Sequence, residues 1–377
     1  MISLISDTII IPWHIRLIAS FKSAGFGVLI ALLSLPLFVL NEYQTYHDIK
    51  LLEKVKEEII TPTSNTGFKY LTGETQTSKI LKDDLFKVET NGIHLSRTVF
   101  MYQWQEVIKS KIKKKIGGKE EVINVYEYIK TFANHPIDSS KFKDNINHKN
   151  PKFLYSSKII SQKNIKLKGL SLSQNFMPYL NYYEPLEIKE ISNLHFYKKA
   201  YVNYDQIYLG DEPKESKIGD YKIKFEHVPN RLISLIANIE NSTIDTISNG
   251  LFSIFQFIQP GDISAKELIQ IYQDESSEFT WIVRLIAFIM LFSGLFMVVY
   301  PLIVLCDFVP FLSSFVHKPL FSLVFLVAAI IAVCTLTLSW VFVRPILAGS
   351  FIILIAAFYS YLSYKKLAKE LEEDDED

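Results

Sequence analysis

The residues that could carry out chemistry are spread along this 377-residue chain without an obvious cluster. Its eight histidines stand at positions 14, 47, 94, 135, 148, 195, 227 and 317. No two of them lie at i and i+4, the spacing that places two metal ligands on one helix face. His94, His135, His148 and His227 could converge in a folded chain, but surface or capping roles are the favoured interpretation.

Motifs that would indicate an enzyme are missing from the sequence. It contains no G-x-S-x-G, no H-E-x-x-H, no P-loop and no G-x-G-x-x-G. A nucleophile with a matching base cannot be named either. We therefore predict a protein that is not an enzyme and has no catalytic, cofactor-binding or metal-binding residues.

Three charged residues stand out because they lie at the ends of long apolar runs. Arg284, Asp307 and Arg344 would be costly inside a bilayer, where charged side chains are rare and often functional. At the end of a span, a long side chain reaches the interface and most of that cost disappears. We expect Asp307 and Arg344 to anchor the chain at opposite sides of the membrane, and therefore not to pair with each other.

A lysine-rich segment, KSKIKKKIGGK at 109–119, allows two interpretations. Clustered lysines attract anionic lipid headgroups. Lysines also decorate solvated hairpin tips and protect exposed strand edges. The solvated hairpin tip is the favoured interpretation.

The overall composition indicates a membrane protein with one large water-exposed region. Forty basic and forty acidic residues give a formal net charge of zero, which argues against binding nucleic acid by phosphate neutralisation. The only cysteines, Cys306 and Cys334, lie in apolar runs, so a disulfide-stapled fold and a cysteine zinc site are excluded. Apolar residues are concentrated near the two ends of the chain.

Four apolar runs are each long enough to cross a bilayer core of about 30 Å as a helix. We predict an α+β membrane protein with four transmembrane helices, one N-terminal and three C-terminal, and a large β-rich extracytosolic loop domain. Small residues, among them Gly25, Gly27, Gly294 and Gly349, could permit close helix contact. The predicted segments are an N-terminus that is cytosolic or at the membrane interface (1–22), spans at 23–41, 280–306, 319–343 and 345–364, the loop domain (42–279) and an acidic cytosolic tail (365–377).

The basic residues in short loops predict the orientation. Arg16 and Lys22 precede the first span, Lys318 lies between the second and third, and three lysines follow the fourth. Both termini are therefore predicted to be cytosolic. The loop domain would then face the lumen or periplasm.

The loop domain itself is predicted to be mainly an antiparallel sheet. A short amphipathic helix should continue the first span, followed by a β-hairpin around Gly117-Gly118. Alternating residues predict a strand at 221–228, and another follows at 231–239. The segment 261–272 is predicted to be a helix capped by Asp262 or Ser264.

Several short strings, in order along nearly the whole chain, resemble the transmembrane protein 43 (LUMA) family. In the loop domain they include Met101-Tyr102-Gln103-Trp104, His148-Lys149-Asn150-Pro151 and Gly219-Asp220. Asn41-Glu42 follows the first span, Asp307-Phe308-x-Pro310 the second, and Trp340-x-Phe342-x-Arg344-Pro345 ends the third. Ser339 stands where the family pattern leads us to expect glycine. The residues selected as structural or family-motif positions are Asn41, Glu42, Tyr102, Trp104, His148, Asn150, Pro151, Asp307, Trp340, Arg344 and Pro345.

The resemblance implies a membrane scaffold that self-associates, as a homo-oligomer, and binds other membrane proteins. In animal cells the family is associated with the endoplasmic reticulum and inner nuclear membrane, with lamins and emerin as partners. Bacterial relatives would sit in the inner membrane with a periplasmic loop. The alternative function is a sensor of lipid or membrane stress that acts through the transmembrane bundle.

Overall fold

A computed structural model describes residues 5–60, 67–188, 198–247 and 255–344, together with residues 353, 357–361 and 363. The chain divides into two compact units. The β-rich unit comprises residues 1–12, 52–248 and 253–274, and the helical unit comprises residues 13–51, 249–252 and 275–377. Pro345 and the acidic tail lie outside the described residues.

Three long helices and sixteen strands make up the described structure. The helices are α1 (Trp13–Ile60), α2 (Ala265–Cys306) and α3 (Pro310–Val343). The strands are β1 (Ile5–Ile11), β2 (Phe68–Thr77), β3 (Leu81–Lys82), β4 (Glu89–Thr90), β5 (Gly92–Lys114), β6 (Glu120–Ala133), β7 (Lys158–Ser161), β8 (Ile165–Leu167), β9 (Leu170–Leu172), β10 (Glu184–Pro185), β11 (Ala200–Asn203), β12 (Gln206–Leu209), β13 (Tyr221–Pro229), β14 (Leu232–Glu240), β15 (Thr243–Asp245) and β16 (Ile258–Pro260).

Most of the first sheet is built around β5, a strand of 23 residues. The sheet order is β1-β6-β5-β13-β12-β11, with β7 added to β5 and β10 added to β13. Its core forms because β13 alternates buried and half-buried residues, so that Tyr221, Ile223 and Phe225 point to one side. The predicted strands at 221–228 and 231–239 and the hairpin around Gly117-Gly118 are confirmed as β13, β14 and the β5–β6 pair.

The second sheet closes on itself. Its order is β15-β9-β8-β2-β14-β16, and β15 also pairs with β14, so five strands form a ring. Closure removes the free edges that an open sheet would leave. Ile165, Leu167, Phe176 and Leu235 fill its interior and are almost fully buried.

All three helices are long and apolar enough to cross a membrane. At 48 residues, α1 is about 72 Å long, far more than the bilayer core requires. It therefore runs through the predicted boundary at 41/42, and α2 likewise runs through 279/280 from its start at Ala265. The predicted fourth span, 345–364, lies mostly outside the described residues, so the count of four remains a prediction.

The predicted short helices at both junctions are parts of these longer ones. Residues 45–59 continue α1, as expected. The segment 261–272 does not form a separate helix, because α2 continues without a break to Cys306. Of the two predicted caps, Ser264 has the capping contact: its Oγ accepts the backbone N–H of Glu267 at 3.3 Å.

The N-terminal segment differs from the prediction. Residues 5–11 form β1, which pairs antiparallel with β6 from Ile5↔Tyr126 to Ile11↔Glu120. Strands of one sheet lie on the same side of a bilayer, because an open sheet edge cannot lie in lipid. If α1 crosses once, this pairing conflicts with the predicted placement of residues 1–22 and 42–279 on opposite sides.

Cysteine crosslinking tests the β1–β6 pairing directly. Thr8 and Ile123 are opposite each other in register, and cross-strand Cβ atoms lie about 5 Å apart, within reach of a disulfide. In a Cys306→Ser, Cys334→Ser background, oxidation of Thr8→Cys/Ile123→Cys in membranes should give a reducible electrophoretic shift. Thr8→Cys/Ile129→Cys, out of register, is the matched control. The pairing would be contradicted if no crosslink formed and an impermeant maleimide labelled the two cysteines from opposite sides of the membrane.

Candidate functional site

The motif residues of the β-rich unit meet along one edge of β5. The pairing of β13 with β5 ends at Tyr221↔Met101. Just beyond it, Tyr102 donates its backbone N–H to the carbonyl of Asp220 at 2.7 Å, and Gly219 donates to the carbonyl of Tyr102 at 2.9 Å. Gly219 has φ +87°, which glycine adopts without strain, so the predicted turn before β13 is present.

Asn150 continues this edge where no strand follows. Its Oδ1 accepts the backbone N–H of Trp104 at 2.7 Å, and its Nδ2 donates to the carbonyl of Trp104 at 2.9 Å. A side-chain amide carries one acceptor and two donors, so it can satisfy both backbone groups as a neighbouring strand would. Asn150 thus makes the backbone contacts that a neighbouring strand would make. We call Tyr102, Trp104, Asn150, Gly219 and Asp220 the edge clasp.

The side chain of Gln103, between two residues of the edge clasp, binds the backbone of His135 and Ile137. It is fully buried, donates from Nε2 to the carbonyl of His135 at 2.9 Å, and accepts the N–H of Ile137 at 2.9 Å. The predicted alternation is confirmed: Met101 and Gln103 are buried on one face of β5, whereas Trp104 on the other is only half-buried. Buried amides that are fully hydrogen-bonded fix one chain arrangement.

His148 lies in an aromatic cluster beside the clasp. Its ring stacks on Tyr128, with centroids 3.8 Å apart, and meets the Trp104 ring edge-on at 4.6 Å. Its Nδ1 lies 3.1 Å from a carboxylate oxygen of Asp144. Burial, together with the hydrogen bond that Tyr128 donates to Glu106, raises the pKa of Tyr128 to about 12. The phenol therefore stays protonated and acts as a fixed donor.

Asp220, the last residue of the edge clasp, lies in a buried polar network next to a small cavity. Its carboxylate accepts hydrogen bonds from Lys198 Nζ and Tyr208 Oη, both at 2.6 Å. Although burial acts to raise the pKa of Asp220, these hydrogen bonds hold it below its ordinary value. A cavity of about 200 Å³ adjoins the network, and Pro151 and Gly219 are among its lining residues. The motif residue Pro151 thus lines the cavity.

The histidines singled out as possible ligands have separate partners. The ring of His94 contacts Ser161 Oγ at 2.7 Å, and that of His227 contacts Thr90 Oγ1 at 2.6 Å. His148 is held by Asp144, as described above. Within the described ranges, no three His, Cys, Asp or Glu side chains form a group that could hold a metal ion. The edge clasp joins separate chain segments through the hydrogen bonds given above.

In the helical unit, Asp307 is paired with a residue from the start of α1. Arg16 donates to Asp307 Oδ2 at 2.6 Å, and both side chains are almost completely buried. Trp13 Nε1 donates to the carbonyl of Val304 at 2.8 Å, one turn away. A buried counter-charge therefore compensates the desolvation cost of Asp307 at this end of the span.

The opposite end of the same helix pair carries a second ion pair. Arg284 lies 2.7 Å from Glu42 Oε1, and Glu42 is buried. Asn41 Nδ2 donates to the carbonyl of Thr280 at 3.3 Å, so both residues of the Asn41-Glu42 motif bind α2. Sequence reasoning missed both pairs, because it treated Arg16 only as a marker of orientation and Glu42 only as the exit from a span.

Between the two ion pairs, the helices touch at glycine. A Cβ atom on Gly27 would lie 2.6 Å from the carbonyl oxygen of Gly294, and one on Gly294 would lie 2.6 Å from the backbone N of Ala31. The prediction of close contact is confirmed for Gly27 and Gly294, whereas Gly25 has no neighbour within 4 Å of such an atom. Small residues let helix backbones approach each other in a membrane.

The spacing of these contacts matches a bilayer. At about 1.5 Å per residue, Arg16 and Glu42 are about 39 Å apart along α1, and Arg284 and Asp307 about 35 Å apart along α2. The apolar parts of both helices thus lie between two polar levels that frame a bilayer core of about 30 Å. This equal spacing of opposite charges on two apolar runs is the sequence signal that would have revealed the pairs.

The last motif lies at the end of α3. The Arg344 guanidinium lies over the Trp340 ring, 5.2 Å from its centroid, and the Arg344 backbone N–H caps the helix by donating to the Trp340 carbonyl at 3.0 Å. A cation on a tryptophan face suits an interfacial anchor. Ser339, at the position where glycine was expected, is buried and donates to the carbonyl of Thr335 at 2.7 Å.

Replacing Asn150 tests the edge clasp. Asn150→Ala removes the partner of a Trp104 backbone donor, and losing a buried partner costs about 1–3 kcal/mol. The purified full-length chain should therefore unfold at a measurably lower temperature. Asn145→Ala is the matched control, since exposed Asn145 makes only one 3.3 Å bond to the carbonyl of Ser140. Equal melting temperatures for the two variants would rule out a stabilising clasp.

Comparisons with known proteins agree with this architecture. The sequence profile of the family described as Transmembrane protein 43 matches residues 101–345, from β5 in the clasp to the residue after Arg344. Rat Transmembrane protein 43 is 25% identical over 342 residues, covering 86% of this chain and 85% of the relative. The human protein of that name is 24% identical, covering 85% and 84%.

A Drosophila melanogaster protein named Transmembrane protein 43 homolog is 20% identical over 378 residues, covering 95% of this chain and 96% of its own length. No solved structure matches the chain. The profile match covers well over half of the residues. The chain belongs to the transmembrane protein 43 family.

Proposed function

We propose that this protein is a non-enzymatic membrane scaffold whose β-rich unit self-associates and binds other membrane proteins. The helical unit holds the chain in the bilayer. The contacts of the motif residues support this proposal, because these residues join chain segments or pair helices. A scaffold needs this rigidity together with a surface that partners can bind.

The observation that carries the proposal is the free edge at β11. This strand ends the first sheet: it pairs with β12 on one side, and no other described strand pairs with it. All four of its residues are exposed, and Tyr201 and Val202 are large and apolar. Such an edge offers unpaired N–H and C=O groups to another strand, and proteins that remain monomeric protect their edges, commonly with lysine or proline. Ala200–Asn203 contains neither residue.

The occupant that fits this edge is the β11 strand of a second copy. Two identical strands can pair antiparallel around a two-fold axis, so that each supplies the same residues to the other. Main-chain hydrogen bonds would provide affinity, and Tyr201 and Val202 would pack against their symmetry mates. The first sheet of one copy and the first sheet of the other would then form one continuous sheet.

Cellular location and partners follow from the family. In a eukaryotic cell we place the protein in the endoplasmic reticulum and inner nuclear membrane, and in animals with lamin- and emerin-like partners. In a bacterium we place it in the inner membrane. The fourth span at 345–364 and a cytosolic C-terminus are part of the proposal, supported by the apolar run and the lysines that follow it. The cytosolic placement of residues 1–22 depends on the crosslinking result described above.

The mass of the full-length protein in detergent or nanodiscs tests self-association. The native chain should form a discrete oligomer, and Val202→Lys should reduce it to a monomer, since a charge on a strand edge blocks pairing. Val202 is 43% exposed, so the substitution should leave the fold intact. The matched control is Ile80→Lys, at a 65% exposed isoleucine outside any strand.

Three outcomes separate the possibilities. Loss of the oligomer only in Val202→Lys supports assembly through β11. An oligomer that persists in both variants removes β11 as the interface. A monomeric native chain would contradict the scaffold proposal and favour a sensor that acts through the helices.

A further inference from the structure

The tip of the β5–β6 hairpin, residues 108–121, has a surface that the proposed scaffold function does not use. The Lys115 N–H donates to the Lys119 carbonyl at 2.8 Å and closes the turn. Gly117 and Gly118 have φ of 78° and 70°, which glycine adopts without strain. At the apex, Ile116 is 89% exposed. A large apolar side chain at the most exposed point of a turn is unusual for a solvated hairpin tip.

Lysine and isoleucine alternate along the strand that leads to this apex. Lysines occupy 109, 111, 113 and 115, whereas isoleucines occupy 108, 112 and 116. Neighbouring residues of a strand point to opposite faces, so β5 presents one basic and one apolar face here. Ile108 and Ile112 are each more than half exposed. The segment 108–121 carries six lysines and two glutamates, which makes it basic in a chain of zero net charge.

The apolar face continues onto the two neighbouring strands. Val122 pairs with Ile112 on one side and Ile9 on the other, so the three side chains form a row across the sheet. Tyr126 likewise pairs with both Ile108 and Ile5. Ile9 is half exposed. A polar row of Ser110, Asn124 and Asp7 separates these two rows, so this part of the sheet carries two apolar rows rather than isolated exposed residues.

The chain also continues directly from this surface into a membrane-spanning helix. Ile11 pairs with Glu120, and it is followed by Pro12 and then by Trp13, the first residue of α1. Only Pro12 separates β1 from a helix that enters the bilayer. Contact with a lipid surface suits a basic surface with exposed isoleucines better than contact with water does. Lysine stems can lie along the apolar layer while their ammonium groups reach lipid phosphates.

We infer that the hairpin tip docks on an anionic bilayer surface. Ile116 inserts into the interfacial layer, and Lys111, Lys113 and Lys119 bind the phosphate groups of acidic lipids. Lys109 and Lys115 instead form ion pairs with Glu127 and Glu121, at 2.6 and 2.8 Å. The sequence alone favoured a solvated tip, because it could not show how far the isoleucines are exposed. Docking does not require self-association: a monomer would dock in the same way.

Lipid-borne quenchers test this inference on the full-length chain in nanodiscs. In the Cys306→Ser, Cys334→Ser background, an environment-sensitive fluorophore is attached at Ile116→Cys. The matched control carries the same label at Ile146→Cys, because Ile146 is also an isoleucine and is 86% exposed outside any strand. Discs contain spin-labelled phosphatidylcholine as the quencher, with or without phosphatidylserine. Mass measurement on the same discs shows whether the chain is monomeric.

In phosphatidylserine discs the label at position 116 should be quenched at least about twofold more than the label at 146, because the lysines hold the tip at anionic lipid. Lys111→Glu/Lys113→Glu/Lys119→Glu, which changes charges on the hairpin but not its apolar residues, should abolish the difference, and so should high salt. Equally weak quenching at 116 and 146 would overturn the inference. Strong quenching at 116 that changes neither with phosphatidylserine nor with the lysine substitutions would overturn the claim that the tip binds anionic lipid.

Discussion

A charge inside a membrane protein must have a partner, and this constraint shapes the helical unit. Arg16 with Asp307 and Glu42 with Arg284 close the two ends of the α1–α2 pair, because an unpaired buried charge would cost several kcal/mol. Between them the backbones touch at Gly27, where any side chain would collide. Ion pairs fix the register of the two helices, and the glycine contact fixes how closely they pack.

The β-rich unit obeys the corresponding rule for backbone groups. β5 has 23 residues and β13 has nine, so a long stretch of β5 continues beyond the end of its neighbour. Each exposed N–H and C=O needs a replacement partner. The Asn150 amide and the Gly219-Asp220 turn supply such partners next to the end of β13, while β6 pairs with the opposite edge of β5. The proposed assembly would occur at β11, one of the two end strands of the first sheet.

Sequence periodicity was enough to predict several of the longest elements, because alternation and long apolar runs are local signals. It predicted the hairpin around Gly117-Gly118, β13 and the apolar runs of α1–α3. It could not predict partners distant in sequence. Asp307 and Arg16 are 291 residues apart, and Asn150 lies 46 residues from Trp104. The exposed isoleucines of the hairpin tip and the pairing of β1 with β6 also depend on the three-dimensional fold.

The most direct test of this account is a double-mutant cycle on the Arg16–Asp307 pair, read as thermal unfolding of the full-length chain in nanodiscs. Arg16→Met or Asp307→Leu alone leaves one buried charge and should cost about 3–5 kcal/mol. The double variant replaces the pair with apolar side chains and should recover a melting temperature near that of the native protein. A double variant as unstable as the two single variants combined would contradict the claim that this pair locks α1 to α2.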